Sequence, residues 1–295
     1  MQLQKEMGIQ MNSIFRIGDF CFRLIAPEGV IPPENFMLFE QPDGEITYTY
    51  TIELAQKFPQ PRGRMVAGRK DLVVFEENGL EMRYIGLPDG EGTYACYREE
   101  DEAHASILLV PAILPLLKVD PMFLAIFCME RHMMQHDSLV LHCAYMAYKN
   151  TAVLFSAPSG TGKTTQATLW EKHRGTRVVN GDKSLLVKRG GAWTANGWPV
   201  CGSSQVCHNE GMPIRAIVML SQGKENTITR LSPFQAFSQI YSQITINFWN
   251  RDAQQRAMDL IEDLVTNVPV YHLSCTISEE AVQTLERALL EGENG

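Results

Sequence analysis

The sequence lacks any apolar run long enough to cross a bilayer. Its longest apolar stretches, residues 107–117 and 122–129, are short or interrupted by proline, whereas a membrane-spanning helix needs about 20 apolar residues. The N-terminal stretch MQLQKEMGIQMNSIF contains one early lysine and no apolar segment of signal-peptide length. These absences predict a cytoplasmic protein without a membrane partner.

Paired cysteine motifs are also missing. The seven cysteines are an odd number and include no Cys-x-x-Cys pair, and most lie in apolar runs, where a free thiol behaves as a small hydrophobic group. Cys201, Cys207 and His208 form one cluster that resembles a metal site, but their spacing fits no common zinc pattern. His132 and His136 lie four residues apart without an acidic partner. The sequence therefore favours a core or surface role for these side chains over a metal site.

A net positive charge is absent as well. The formal net charge is −8, so no overall basic field attracts nucleic acid or anionic lipid. One basic stretch, PRGRMVAGRK at residues 61–70, departs from this balance. We interpret it as a solvated loop, with a site for an acidic ligand as the alternative.

The order of patterns along the chain predicts two domains. Residues 1–119 read as a β-rich domain, because apolar side chains alternate with polar ones in EITYTYTIEL, residues 45–54. A helical connector is expected next, with Asp120 as its N-cap, Pro121 at the first helical position and apolar residues through His136. Strands then alternate with helices, so residues 120–295 are expected to form an α/β domain.

The stretch SAPSGTGKTT, residues 156–165, is the strongest functional signal. It matches the phosphate-binding template Gly-x-x-x-x-Gly-Lys-[Ser/Thr] except at the first position, which is Ala157. An apolar strand is expected before it and an amphipathic helix after it, as the template requires. The residues expected to bind the nucleotide are Ser159, Gly160, Thr161, Gly162, Lys163, Thr164 and Thr165.

The chemistry of phosphate binding explains these residue types. Successive backbone N–H groups can curl around phosphate oxygens at the positive end of the following helix. Gly160 and Gly162 let the backbone turn where a Cβ atom would obstruct. Lys163 supplies a mobile charge for the β- and γ-phosphates, and Thr164 offers a hydroxyl to Mg²⁺. The sequence thus predicts a nucleotide partner, taken as ATP, with Mg²⁺ as cofactor.

A carboxylate follows the next predicted strand. In RVVNGDKSLLV, Asp182 comes directly after the strand, where it can face the phosphates and hold Mg²⁺. A plain Asn-Gly-Asp turn is the alternative. The chain then continues as a hairpin with a Gly-Gly turn rather than as a helix, which is unlike ordinary doubly wound phosphate-loop proteins.

Three segments together resemble the catalytic domain of HPr kinase/phosphorylase-related proteins. They are LVLHCAYMAYKNTAVLFSAPSGTGKTTQATLW, VVNGDKSLLV and GWPVCGSS. The subset that they resemble most is the SynC-like kinases associated with peptide-modification clusters. The resemblance covers residues 138–290 and implies the mixed-sheet α/β fold shared with ATP-dependent phosphoenolpyruvate carboxykinase, here preceded by a smaller β-rich domain.

The resemblance also implies roles for further residues. His142 corresponds to a histidine near the transferred phosphate, and Asp182 to the second of two aspartates associated with metal binding and with removal of the acceptor's proton. Gly181 stands where the first aspartate is expected. The general base is therefore either Asp182 or His142, since imidazole can take a proton near neutral pH. Gly202 and Ser203 correspond to a loop that approaches the acceptor or the phosphate, with a plain turn as the alternative.

These features predict an ATP- and Mg²⁺-dependent phosphotransferase that modifies a serine hydroxyl of a peptide or protein. Lys163, Asp182 and His142 are the expected catalytic residues, Thr164 and Asp182 the expected metal ligands, and the N-terminal domain the expected acceptor-recognition element. Two alternatives stay open: a small-molecule hydroxyl kinase, and a non-catalytic ATP-binding sensor or scaffold for a peptide partner. The acceptor's identity and the formation of a homo-oligomer stay open as well.

Overall fold

The computed structural model describes residues 9–87, 89–90 and 92–291. The first eight residues, which carry part of the signal-peptide argument, lie outside the described residues. The chain divides into two compact units, Met1–His132 and Met133–Gly295. Within the described ranges, no helix combines the length and the apolar character needed to cross a membrane.

The first unit is built on a single mixed sheet. Its strands are β1 (Ile9–Ile17), β2 (Phe20–Pro27), β3 (Glu40–Gln41), β4 (Tyr48–Leu54), β5 (Arg64–Gly68), β6 (Leu72–Glu77), β7 (Leu80–Gly86), β8 (Thr93–Glu99) and β9 (His104–Leu109). In the part of the chain that is described, they pair in the order β3-β1-β2-β4-β9-β8-β7-β6-β5. Strand β4 runs parallel to both of its neighbours. Its alternating buried and partly exposed residues confirm the expected half-buried strand.

The segment after the sheet differs from the single connector helix that was expected. It contains a 3-10 helix (Pro111–Lys118), α2 (Asp120–Ala125) and α3 (Met129–Gln135), and a short helix α1 (Glu34–Met37) occurs earlier in the unit. The prediction of one continuous helix is wrong, because Cys128 adopts a left-handed φ of 53° between α2 and α3. Asp120 does not cap α2: the N-cap residue is Val119, and the Asp120 carboxylate accepts a hydrogen bond from Asn35 Nδ2 at 2.7 Å.

Aromatic packing attaches residues after 119 to the first unit. Phe123 and Phe127 are buried. Their rings lie 4.9 Å from the ring of Phe36 and 5.1 Å from that of Tyr50, respectively. Burial of such large apolar side chains is a major stabilising contribution. The part of the connector that carries Phe123 and Phe127 therefore folds with the first unit, which ends at His132.

Charged side chains are also buried in the first unit. The Arg83 guanidinium lies 2.7 Å from a Glu81 carboxylate oxygen and 2.6 Å from one of Glu130. Arg131 contacts Glu81 at 3.0 Å and Glu99 at 2.7 Å. Each of these buried charges thus has an oppositely charged partner, as burial requires. The cluster attaches α3 to strands β7 and β8.

The second unit confirms the predicted mixed-sheet α/β architecture. Its strands are β10 (Ser138–Tyr148), β11 (Thr151–Ser156), β12 (Arg177–Asn180), β13 (Lys183–Arg189), β14 (Ala192–Asn196), β15 (Gly211–Gln222), β16 (Thr227–Arg230) and β17 (Val270–Cys275). Its α-helices among the described residues are α4 (Lys163–Arg174), α5 (Pro233–Tyr241), α6 (Arg251–Asn267) and α7 (Glu279–Glu291). The expected hairpin is formed by β13 and β14.

Strand β10 is shared between two parts of this sheet. Its first half pairs with β13 and its second half with β11 and β12, all antiparallel. Strands β11, β15 and β17 run parallel, so their carboxyl ends lie at the same sheet edge. Side chains of β10 alternate between two cores: Cys143 and Tyr145 pack with α5 and α6, whereas Ala144 and Met146 pack with α4 and α7.

Candidate active site

The phosphate loop spans residues 157–162, between β11 and α4. Gly160 and Gly162 have φ values of 79° and 114°, a left-handed region that residues with a Cβ rarely adopt. Gly162 is the N-cap of α4. The first N–H groups of a helix have no acceptor within it and carry its positive partial charge. This strand-loop-helix arrangement is the kind of backbone that binds phosphate.

The Lys163 side chain folds back onto the loop and stabilises its shape. Its Nζ donates hydrogen bonds to the carbonyl oxygens of Ala157 at 3.0 Å and Pro158 at 3.4 Å, and the residue is buried. Burial lowers the pKa of the Lys163 ammonium, and the Asp182 carboxylate opposes that shift. The Asp182 carboxylate thus stabilises the charged form of Lys163.

Ala157, the departure from the template, does not disturb the loop. The residue is 1% exposed and packs in the core beneath α4, and it does not adopt a positive φ. A glycine is therefore not needed at this position.

The other predicted loop residues differ in their contacts. The Thr161 hydroxyl donates to the Pro158 carbonyl at 2.9 Å, so this side chain supports the turn. Ser159, Gly160, Thr164 and Thr165 are exposed.

His142 and Asp182 meet beside the phosphate loop. His142 Nε2 lies 3.6 Å from Asp182 Oδ1, with 28% of each side chain exposed. The Cys143 N–H donates a hydrogen bond to the Asp182 carbonyl at 3.0 Å, which joins the two backbone segments. The His142 N–H donates to the Gln243 carbonyl, also at 3.0 Å. Along β10, His142 shares its face with Ala144, which packs on the α4 side. The structure thus brings together His142, Lys163 and Asp182.

The environment of His142 favours its neutral form. Burial lowers the pKa of the imidazole below its ordinary 6.5, and the positive charge of Lys163 lowers it further. The Asp182 carboxylate and a hydrogen bond with Gln243 raise the pKa in part. The net direction is downward, which favours the neutral form of the imidazole. A neutral imidazole can accept a proton.

Asn180 is a site residue that the sequence reasoning missed. Its side chain is fully buried. Asn180 Oδ1 accepts hydrogen bonds from the backbone N–H groups of Asp182 at 2.9 Å and Lys183 at 3.0 Å. Its Nδ2 donates to the carbonyls of Trp198 at 2.8 Å and Val200 at 3.1 Å. The Asn-Gly-Asp sequence after a strand was the available signal, because asparagine side chains commonly bond to the backbone two residues ahead.

Close packing explains the glycine at position 181. A Cβ atom built there would lie 2.1 Å from Ser204 Oγ and 2.4 Å from Ser204 Cβ. An aspartate cannot occupy the position while Ser204 stays where it is.

The loop that contains Ser204 also approaches Asp182. Gly202 and Ser203 are exposed, and a Cβ atom built at Gly202 would lie 3.1 Å from the Cγ of Asp182. The loop at residues 198–204 therefore packs directly against Asp182.

The donor set fits a nucleotide with Mg²⁺. The N-terminal end of α4 and the Lys163 ammonium suit phosphate oxygens, and the Thr164 hydroxyl and the Asp182 carboxylate suit Mg²⁺. Among the described residues, no group of three or more His, Cys, Asp or Glu side chains is arranged to hold a metal ion. Asp182 and Thr164 would thus hold Mg²⁺ together with phosphate oxygens and water, as this ion commonly binds.

Comparison with known proteins gives three findings. None of the curated proteins matches the sequence. Among solved structures, the chain is similar to the HPr(Ser) kinase/phosphatase from Coxiella burnetii, with a TM-score of 0.31 and 11% identity over 52% of this chain and 98% of that chain. The family model described as SynChlorMet cassette protein ScmC matches residues 115–291. Because that match covers more than half of the 295 residues, the chain belongs to the SynChlorMet cassette protein ScmC family.

Proposed function

We propose that the protein is an ATP- and Mg²⁺-dependent kinase that transfers phosphate to a serine hydroxyl of a peptide or protein. The observation that carries this proposal is the convergence of three side chains at one end of the phosphate loop. Lys163 begins α4, and His142 Nε2 lies 3.6 Å from Asp182 Oδ1 beside it. A phosphate cradle, a cation and a proton acceptor are the groups that phosphoryl transfer commonly uses, and here either His142 or Asp182 can be the proton acceptor.

Each side chain has a separate role in the proposed reaction. Lys163 binds the β- and γ-phosphates and offsets the charge that spreads over the γ-phosphoryl oxygens. Neutral His142, or the Asp182 carboxylate next to it, takes the proton of the acceptor hydroxyl. The acceptor oxygen then bonds to the γ-phosphorus while the bond to the β–γ bridging oxygen breaks, and ADP leaves. Bound Mg²⁺ would supply further charge neutralisation on the phosphates.

The choice of a serine hydroxyl rests on the sequence resemblance to HPr kinase-related proteins. The segments LVLHCAY, SGTGKTT and VVNGDKS carry that resemblance. The exposed loop at Gly202 and Ser203 is the proposed contact with the acceptor. A small-molecule hydroxyl kinase is the alternative enzyme.

One observation favours a different class of function. Ser204 fills the space that an aspartate side chain at position 181 would need. The site therefore has one carboxylate, whereas related kinases are expected to have two. A protein that binds ATP without transferring phosphate, and uses it to order a peptide-binding surface, would need no second carboxylate. This non-catalytic sensor is the second candidate.

A transfer assay tests the proposal. The purified chain is incubated with γ-labelled ATP, Mg²⁺ and a set of synthetic serine-containing peptides, and in parallel with small hydroxy compounds. Label on a peptide, lost when its serine is replaced by alanine, supports the kinase. Label on a small compound alone supports the alternative enzyme. ATP binding without transfer to any acceptor favours the sensor.

Variants make the assay specific to this site. Lys163→Ala should weaken ATP binding about 10- to 100-fold and abolish transfer. Lys172→Ala, an exposed lysine in the last turn of the same helix, is the matched control and should change neither. Transfer that survives in Lys163→Ala would contradict the proposal.

A further inference from the structure

The turn at residues 180–183 and the loop at residues 198–204 are joined through one buried side chain. Asn180 uses both amide hydrogens on the Trp198 and Val200 carbonyls. Its Oδ1 accepts from the Asp182 and Lys183 N–H groups. A buried asparagine with two donor and two acceptor contacts has used the bonding capacity that its amide normally offers. It therefore fixes both segments at once.

Further contacts at and next to the turn and the loop pack these two segments against each other. The Cys207 backbone pairs with Asn180 in an isolated bridge, and the His208 N–H donates to the Val179 carbonyl at 2.9 Å. Ser204 Oγ, which donates to the Cys201 carbonyl at 2.6 Å, occupies the space beside Gly181. The position of the Asp182 carboxylate thus depends on where this loop lies.

We propose that Asn180 is a positioning residue, which holds the Asp182 carboxylate in place for Mg²⁺ and couples that placement to the loop at residues 198–204. The inference rests on the proposed function in taking Asp182 as a Mg²⁺ ligand. Replacement of a residue that orients a metal ligand without binding the metal itself commonly lowers metal affinity by about 10- to 100-fold. Asn180 is fully buried and accepts a hydrogen bond from the Asp182 N–H, so its effect runs through Asp182.

The test separates Mg²⁺ binding from nucleotide binding. ATP affinity is measured by calorimetry with Mg²⁺ and with EDTA, and the ratio of the two values is the Mg²⁺-dependent gain. Asn180→Ser should lower this gain about 10-fold and leave the affinity in EDTA within about 2-fold, because the phosphate loop is untouched. Asp182→Asn should lose the gain in the same way. Asn196→Ser, which removes a partly buried asparagine that bonds within the β13–β14 hairpin, should keep the full gain.

A second measurement follows the loop directly and needs no ligand. In Asn180→Ser, amide hydrogen exchange of the peptide covering residues 198–206 should become faster, whereas the phosphate loop, residues 157–165, should keep its exchange rate. Asn180→Ala should show the same pattern more strongly where it folds. Asn196→Ser should leave both segments unchanged.

The possible results lead to distinct conclusions. An unchanged gain in Asn180→Ser, with the gain lost in Asp182→Asn, overturns the positioning role. An unchanged exchange rate at residues 198–206 overturns the coupling to the loop. A wild type that shows no Mg²⁺-dependent gain overturns the proposed function and the positioning role with it, while exchange still decides whether Asn180 joins turn and loop.

Discussion

His142 and Asp182 form a close pair, with Nε2 of the imidazole 3.6 Å from Oδ1 of the carboxylate. Opposed influences act on the imidazole: burial and Lys163 lower its pKa, and Asp182 raises it. Both neighbours belong to the proposed active site. The titration of one histidine therefore reports on the placement of the whole group.

We expect the pKa of His142 to lie below 6.5 in the free protein, because burial and Lys163 outweigh Asp182. Lys163→Ala should raise this pKa, since a positive neighbour is lost, and Asp182→Asn should lower it further. NMR titration, with His142→Gln for assignment, measures all three values. A wild-type pKa above 6.5 would contradict the geometry.

The lowered pKa of His142 also predicts the pH profile of phosphate transfer. If His142 accepts the proton, kcat/KM falls as pH decreases through its lowered pKa, because the protonated ring cannot act as a base. The acid limb should therefore lie below pH 6.5 and disappear in His142→Gln together with most of the rate. A limb that persists unchanged in His142→Gln would assign the base role to Asp182.

Removal of the Lys163 charge should weaken ATP binding. A hydrogen bond to a charged group contributes about 1.5–3 kcal/mol, which corresponds to about 10- to 100-fold in affinity. Calorimetry on Lys163→Ala measures the loss, with Lys172→Ala as the control. The variant should remain folded, since the two bonds lost are to carbonyls at the edge of the loop, Ala157 and Pro158. Equal affinities of the two variants would contradict a phosphate role for Lys163.

Gly181→Ala should destabilise the second unit, because the new methyl group would meet Ser204 Oγ at 2.1 Å. Overpacking of this kind typically costs about 1–3 kcal/mol. Ser204→Gly removes both clashing atoms, so the double variant should recover much of the loss. Urea unfolding of the single and double variants gives the coupling energy. Strictly additive effects would show that the two residues do not compete for this space.

In the first unit, Arg83→Met should reduce stability much more than Arg69→Met. Arg83 is 3% exposed between Glu81 and Glu130, and removal of one partner from a buried ion pair costs about 3–5 kcal/mol. The Arg69 side chain is 62% exposed beside Asp71, and exposed pairs contribute about 0–1 kcal/mol. Thermal unfolding of both variants checks the ranking. Similar losses would contradict the buried role of Arg83.

Local patterns in the sequence predicted the elements that depend on them. Alternation located β4, and the Gly-Gly turn located the β13–β14 hairpin. The match of residues 157–164 to the phosphate-binding template could be seen because Gly160, Gly162 and Lys163 lie close together in the sequence. The mixed sheet was expected from the resemblance rather than from these patterns.

Long-range contacts explain what the sequence reasoning missed. Asp120 looked like a helix cap, but Asn35, 85 residues away in sequence, binds its carboxylate instead. Gly181 looked like the loss of an aspartate, and only the position of Ser204 shows why a glycine is there. Asn180 was overlooked because its partners near Trp198 lie 18 to 20 residues ahead. Such contacts leave no periodic pattern in the sequence.

The bonds of Lys163 to the Ala157 and Pro158 carbonyls have a consequence for the thermodynamics of ligand capture. The chain's own atoms fix the shape of the phosphate loop, so the conformational entropy of ordering it is lost during folding rather than on binding. When a phosphate binds, the Lys163 ammonium needs only to exchange its hydrogen bonds to these two carbonyls for hydrogen bonds to phosphate oxygens. Association should therefore proceed without a slow loop-ordering phase, and ATP binding should show single-exponential kinetics whose rate rises linearly with concentration.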